Sequence, residues 1–424
     1  MRGKIKFAAA LFLGAALCLG AAWTPAEAAS QADLEKKIQA LEQSLQSLKQ
    51  QLTEVKTTQD QQVAVAQVAA KDALPKWVQR MKFYGDTRFR YQNETFDELN
   101  GKDKDDRARR RVRWRFGVKS QIHEDVELGF RLATGSDDDP TSTNQTMGDY
   151  WGEFTSIGLD RVYIKWTPGF IPGKPAYFGF GKMKNPFFTT KAMWDGDVVP
   201  EGAFIGAVFN KKGTVQPYFT GAFFYIEEHK NETPDDVYGY AGQIGVKAKM
   251  NKVKFDIATS YYSWGDLGEV GNVPPNPHGN PIYQQGGEDR LSTFGVWDVL
   301  AKASFKFSKK GSLGFWGHYL TNNDAEGPDE DKDSGYAFGA KASYSKFSFG
   351  AWYKYVEANA TPGFIADSDS GFVNRKGWVL EAGYKFWKYG KVKLSYFNTE
   401  PVDDDLEGAA NGAQTFFADF IFKF

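Results

Sequence analysis

The chain has 424 residues, a formal net charge of -1, 16% aromatic residues, 44 glycines and one cysteine. That cysteine, Cys18, lies in an apolar leader, so disulfides, thiol catalysis and thiolate metal sites are excluded for the processed protein. Beyond the leader no run of about 18 apolar residues exists, which excludes a membrane-spanning helix, while the aromatic and glycine content favours an all-β membrane barrel.

In chain order, residues 1–28 read as a secretory signal peptide. Arg2, Lys4 and Lys6 form its basic start, Phe7 to Gly20 its apolar run, and Ala26-Glu27-Ala28 its cleavage site. Leu17 stands where a lipoprotein signal needs a small residue, so Cys18 is filler. Residues 29–57 read as a coiled coil. Leu34, Ile38, Leu41, Leu45, Leu48, Leu52 and Val55 form an unbroken a/d seam in a Gln, Glu and Lys background. Leu at a with Ile and Leu at d leans toward three or four strands. A lone amphipathic helix packed on its own domain would not need so strict a 3.5 period. Residues 58–79, rich in Gln, Ala and Val with Pro75 near their end, read as a linker.

From residue 80 to 424 the period changes to two. Val112, Trp114, Phe116 and Val118 alternate with Arg111, Arg113, Arg115 and Lys119. At the C-terminus Phe416, Ala418, Phe420, Phe422 and Phe424 share one parity, and Thr415, Asp419 and Lys423 the other. Aromatics on one face and charges on the other fit a strand between lipid and water. About sixteen such runs are countable, the even number that such barrels require. Seven junctions are tight, among them Asn210–Gly213, Asn251 and Ser345–Lys346, and they alternate with eight longer, acidic loops. Both chain ends fall on the short-turn rim, which places the coiled coil in the periplasm of a transmembrane all-β barrel with about 16 antiparallel strands. A soluble sandwich would need both rims alike. The loop acids, such as Asp103, Asp105 and Asp106 or Asp403, Asp404 and Asp405, read as solvated surface or as bridges through divalent cations to lipopolysaccharide.

Parity also identifies the lumen. It places Arg88 and Arg90, then Arg111, Arg113 and Arg115, then Arg131 and Arg161 inside, as a basic ladder on one wall. These charges cannot be lost as protons. The third long loop, from Lys184 to about Gly202, carries Asp195, Asp197 and Glu201. Folded inward, those acids would face the ladder and set a transverse field across a pore constriction. Lumen acids are fewer than lumen cations, so a mild anion preference is expected. The four histidines give neither a metal-ligand spacing nor a serine partner for His318, so no enzyme and no cofactor is expected. Nucleic acid is excluded because the residues alternating with the arginines are Trp, Phe and Val.

Several segments then resemble the bacterial "putative porin" family: Phe83 to Tyr91, Arg107 to Arg113, Phe130 to Gly135, Asp139 to Thr146, Gly181 to Phe187, and Trp194 to Asp197 with Pro200-Glu201-Gly202. The leader and coiled coil add a likeness to the OmpJ-like porins of metal-reducing deltaproteobacteria. The resemblance implies an outer-membrane diffusion pore for small hydrophilic solutes, a homotrimer, and no catalytic residues. It also implies that the closing Phe424 is a signal to the barrel-assembly machinery. A structural envelope tether, or an occluded barrel that binds a partner, fits the same architecture.

Overall fold

A computed structural model describes residues 31–72, 74–98, 104–136, 139–148, 150–152, 156–230, 234–406 and 409–424. The signal peptide lies outside these residues, as do Asp103, Asp137 and Asp138 of the acidic loops. The chain divides into two compact units at Pro75.

The first unit is helix α1, Gln31–Asp72. Its seam residues Leu34 to Val55 are all exposed, with Leu41 at 69% and Leu48 at 64%, so a single copy leaves the whole apolar stripe in water. The residues read as a linker from 58 onward are helical as far as Asp72. Gln, Ala and Lys are good helix formers, and no Gly or Pro interrupts them before Pro75. Residues 76–79 are not linker either. They form a one-turn helix, α2 (Lys76–Gln79), and the Trp77 carbonyl accepts a hydrogen bond from Ser120 Oγ at 2.7 Å.

The second unit is a closed barrel of sixteen long antiparallel strands. They are β1 (Lys82–Phe96), β2 (Arg107–His123), β3 (Val126–Thr134), β4 (Ile157–Trp166), β5 (Ala176–Lys182), β6 (Glu201–Val208), β7 (Val215–Glu227) and β8 (Val237–Met250). The second half comprises β9 (Val253–Trp264), β10 (Phe294–Phe305), β11 (Gly311–Asn322), β12 (Ser334–Tyr344), β13 (Phe347–Val356), β14 (Arg375–Tyr384), β15 (Gly390–Pro401) and β16 (Ala413–Lys423). Each pairs with its sequence neighbours, and β1 pairs with β16 from Asp86↔Lys423 to Phe96↔Ala413, which removes both sheet edges. A two-residue piece, Gln145–Thr146, adds to β2, and a small hairpin, Tyr283–Gln285 with Glu288–Arg290, stands apart.

Period-two burial separates two faces. Outward residues of β13 and its neighbours pack ring on ring, with Tyr336 stacked on Tyr355 at 5.3 Å and Tyr353 against Trp378 at 5.2 Å near the long-loop rim. Phe83, Phe116 and Phe424 make a similar group near the short-turn rim. Two aromatic belts fit the two interfaces of a membrane. Tight turns use left-handed residues where the strand twist demands them, including Asn210 (φ 48), Asn251 (φ 48) and Ser345 (φ 55).

Inside, one wall is covered by an apolar cluster. It joins Phe204, Phe224, Tyr262, Trp264, Leu320 and Val356 of the strands to Met193, Trp194 and Ile365 of two loops. The opposite wall carries the arginines.

Candidate functional site: an arginine–carboxylate cluster in the lumen

The basic ladder is built by strand register. Arg88 sits opposite Arg113 and Arg90 opposite Arg111 across β1 and β2, and Arg131 sits opposite Arg161 across β3 and β4. Such like-charged neighbours are tolerable only if anions or water intervene. Here carboxylates do. Asp86, opposite Arg115, accepts from Arg113 at Oδ1 (2.6 Å) and from Arg115 at Oδ2 (2.7 Å). Asp419 takes Arg90 at 2.7 Å and lies 3.9 Å from Arg88. The Arg90 guanidinium also lies 3.8 Å from the Phe417 ring centroid.

Asp160 is the carboxylate that alternation does not reveal. By parity it belongs to the lipid face with Val162 and Ile164. The register slips between Arg131 and Leu132, so that Arg131 faces Arg161 but Leu132 faces Leu159. This bulge gives one strand an extra residue and turns Asp160 inward. It hydrogen-bonds Arg131 and lies 3.5 Å from Arg161. The signal was present in the sequence as an Asp-Arg pair that breaks a strand's alternation.

The segment 183–200 between β5 and β6 crosses the interior. Phe188 N donates to Gln243 Oε1 of β8 at 2.9 Å, and Gln243 Nε2 returns a bond to the Phe188 carbonyl at 2.8 Å. Thr190 Oγ1 meets His318 Nδ1 at 2.7 Å, and His318 Nε2 meets Asp298 at 3.0 Å. This Thr-His-Asp chain, buried at His318 and Asp298, ties the segment to β10 and β11. Trp194 packs among Phe224, Tyr262 and Trp264 at ring distances of 5.9, 6.1 and 5.7 Å. On the other side Asp197 reaches Arg115 at 3.0 Å, Arg113 at 3.9 Å and Thr143 Oγ1 at 3.1 Å.

A second inward segment, 357–374 between β13 and β14, was not singled out by sequence reasoning. Its Ile365 carbonyl accepts from Asp195 N at 2.7 Å. Asp367 pairs with Lys191 at 2.5 Å and Asp369 with Arg90 at 3.1 Å. Asp195 is therefore not a wall opposite the arginines. Its carboxylate accepts from Asp197 N at 2.7 Å and Ser368 N at 3.3 Å, joining the two segments. The two acids differ in charge state. Burial and the neighbouring Asp367 raise Asp195 to about 9 against the pull of Lys191. Asp197 is also pushed up by burial, but Arg113 and Arg115 outweigh this and hold it below the ordinary carboxylate range.

Glu201 does not join the cluster. It is the first residue of β6, its side chain is 54% exposed, and it pairs with Lys182 at 2.7 Å. The register Lys182↔Glu201 continues Phe180↔Ala203, which puts both charges on the outward face at the rim. Arg111 lies in the lumen but among the described residues reaches only neutral groups, at Gln92, Ser142 and the Asn144 carbonyl. Arg88 likewise donates to Asn144. Six guanidiniums, from Arg88, Arg90, Arg113, Arg115, Arg131 and Arg161, thus meet five ion-paired carboxylates, from Asp86, Asp160, Asp197, Asp369 and Asp419, and Arg111 adds a seventh guanidinium that is paired with none of them.

The closed barrel fold is shared by known proteins. A family model described as "Putative porin" matches residues 18–105 and 101–277. The chain belongs to this porin family. Among solved structures, Pseudomonas putida OprB is similar at 13% identity, with 81% of this chain and 94% of that chain covered and a TM-score of 0.54. Salmonella typhi OmpF, in a complex with daunomycin, is similar at 11% identity, with 81% and 97% covered and a TM-score of 0.50. At these identities the likeness concerns the fold. No curated protein sequence matches. The protein is a porin of the outer membrane, a non-enzymatic channel.

Proposed function

We propose that this porin is a water-filled general diffusion pore for small hydrophilic solutes and ions, narrowed by segment 183–200 and mildly anion-preferring. The observation that carries this reading is the cluster's imbalance, seven guanidiniums against five carboxylates, with Asp197 delivered from the crossing segment. Charges in a low-dielectric constriction act on passing ions far more than loop charges beyond a screening length of about 8 Å. Segment 357–374 shares in the narrowing through Asp369. The coiled coil lies in the periplasm, its exposed seam is covered in a homotrimer, and Phe424 is read by the assembly machinery. Acidic loops such as 403–405 contact lipopolysaccharide through divalent cations.

The test is the reversal potential of a salt gradient across a planar bilayer. Arg113→Ala with Arg131→Ala should shift it toward cations. An unchanged value would remove this cluster from the narrowest section. A second reading has a specific observation in its favour: the apolar cluster around Met193 and Trp194 fills much of one wall. It fits an occluded barrel that binds a partner or tethers the envelope, and such a barrel gives no ohmic current.

A further inference from the structure

Arg375 opens β14 and is only 5% exposed. Among the described residues it makes no ion pair, and its Nη1 is buried without a hydrogen-bond partner. A guanidinium in that state has lost its water without gaining an anion, which is costly unless a ligand supplies one. Arg375 lines a cavity of about 320 Å³ together with Arg111. Arg111 is the ladder arginine that meets only neutral oxygens, and its Nε is also buried and unpartnered.

Of the other charges at this cavity, Arg109, Glu94 and Asp369 are already ion-paired. Arg109 is held by Glu94 at 2.5 Å, and Asp369 by Arg90 at 3.1 Å. Asp139 accepts from the amide and hydroxyl of Thr141 at 2.9 and 2.6 Å. Lys104 lies 4.0 Å from the Phe96 ring centroid. Among the described residues two uncompensated guanidiniums remain, on β2 and β14, against the one unpaired carboxylate of Asp139, and the threonines Thr399 and Thr415 share the lining.

We propose that this cavity binds small organic dicarboxylates, one carboxylate on Arg111 and the other on Arg375. Each planar guanidinium offers a fork matched to a carboxylate. Because the two forks stand on separate strands, a ligand with two separated anionic groups engages both. A compact oxyanion such as phosphate concentrates its charge at one centre and engages one. The cavity deepens the pore reading, since it would retain such solutes on their way through the lumen, and it rests on that reading for their route alone. Binding at equilibrium does not require current.

The experiment is isothermal titration of the full processed protein in detergent with sodium succinate, and in parallel with acetate and inorganic phosphate. Succinate should bind about tenfold or more tightly than either, and Arg111→Gln and Arg375→Gln should each weaken it about tenfold, as loss of one charge-assisted fork requires. Arg375→Lys, which keeps the charge without the fork, should fall between. Arg110→Gln, an outward neighbour, should bind like the parent. Heat-modifiable migration reports folding of each variant. If Arg375→Gln does not fold, Arg111→Gln and Arg375→Lys carry the test. Succinate affinity equal in the parent and the folded variants overturns the site. Phosphate binding as tightly as succinate overturns its dicarboxylate character. Bilayer recording on the same preparations separates the two claims: current without succinate binding removes the site alone, and binding without current removes the pore alone.

Discussion

Asp195 and Asp197 are two residues apart on segment 183–200, yet replacing them should have different effects. Asp197→Asn takes an ionised carboxylate from beside Arg115 (3.0 Å) and Arg113 (3.9 Å). An ion passing about 5 Å away in water feels ~0.8 kcal/mol from that charge, which a screening length of about 8 Å reduces to ~0.4 kcal/mol. Anions gain and cations lose about twofold each, so the anion-to-cation permeability ratio should rise roughly fourfold. Asp195→Asn removes a proton rather than a charge at pH 7, because burial and Asp367 hold the group neutral to about 9. Its ratio at pH 7 should stay within the scatter of the parent. The assay is the reversal potential in a potassium chloride gradient, with both variants at one salt concentration. Equal shifts in the two variants would refute the assigned charge states. No shift in Asp197→Asn would refute the placement of the narrow section.

Asp195 also predicts a pH dependence. Its folded pKa lies above the unfolded value, so the native state holds the extra proton, and the stability it contributes is present below about pH 4 and fades as pH rises to about 9. Thermal unfolding should decline less between pH 5 and pH 9 in Asp195→Asn than in the parent; parallel curves would contradict this. Asp86→Asn leaves Arg113 and Arg115 without their shared partner and should cost about 3–5 kcal/mol, read as an earlier loss of heat-modifiable migration; parent-like resistance would show that Asp197 alone suffices. Trp194→Ala empties the ring cluster with Phe224, Tyr262 and Trp264 and should cost about 3–5 kcal/mol, while the freed segment raises single-channel conductance. If the proposed homotrimer forms through the heptad seam, Leu41→Lys with Leu48→Lys should abolish it in native mass measurement and leave the barrel's migration unchanged; a trimer that persists in the variant would assign assembly to the barrel wall.

The strand plan was legible because alternation, turn residues and loop lengths are local signals, and all sixteen runs correspond to strands. The arginine ladder was legible for the same reason: parity alone places Arg88, Arg113, Arg115 and Arg131 inside. What parity cannot carry is anything that breaks it or comes from elsewhere in the chain. Asp160 depends on a bulge of one residue. Asp369 and Asp367 sit in a loop whose inward path is fixed by contacts with Lys191 and Arg90 from distant segments. Glu201 looked like part of the third loop's acidic set, but the pairing Lys182↔Glu201 makes it a strand residue on the outer face. The end of the helix was misplaced because the heptad seam stops at Val55 while helix-forming residues continue to Asp72.

The central claim is that the lumen conducts past segment 183–200, and single-channel recording of the purified protein in planar bilayers in potassium chloride tests it most directly. Ohmic steps whose size scales with salt, and grows in Trp194→Ala, are the predicted result. A protein that migrates as a folded barrel, inserts, and yields no steps would contradict the account and leave the occluded, partner-binding barrel in its place.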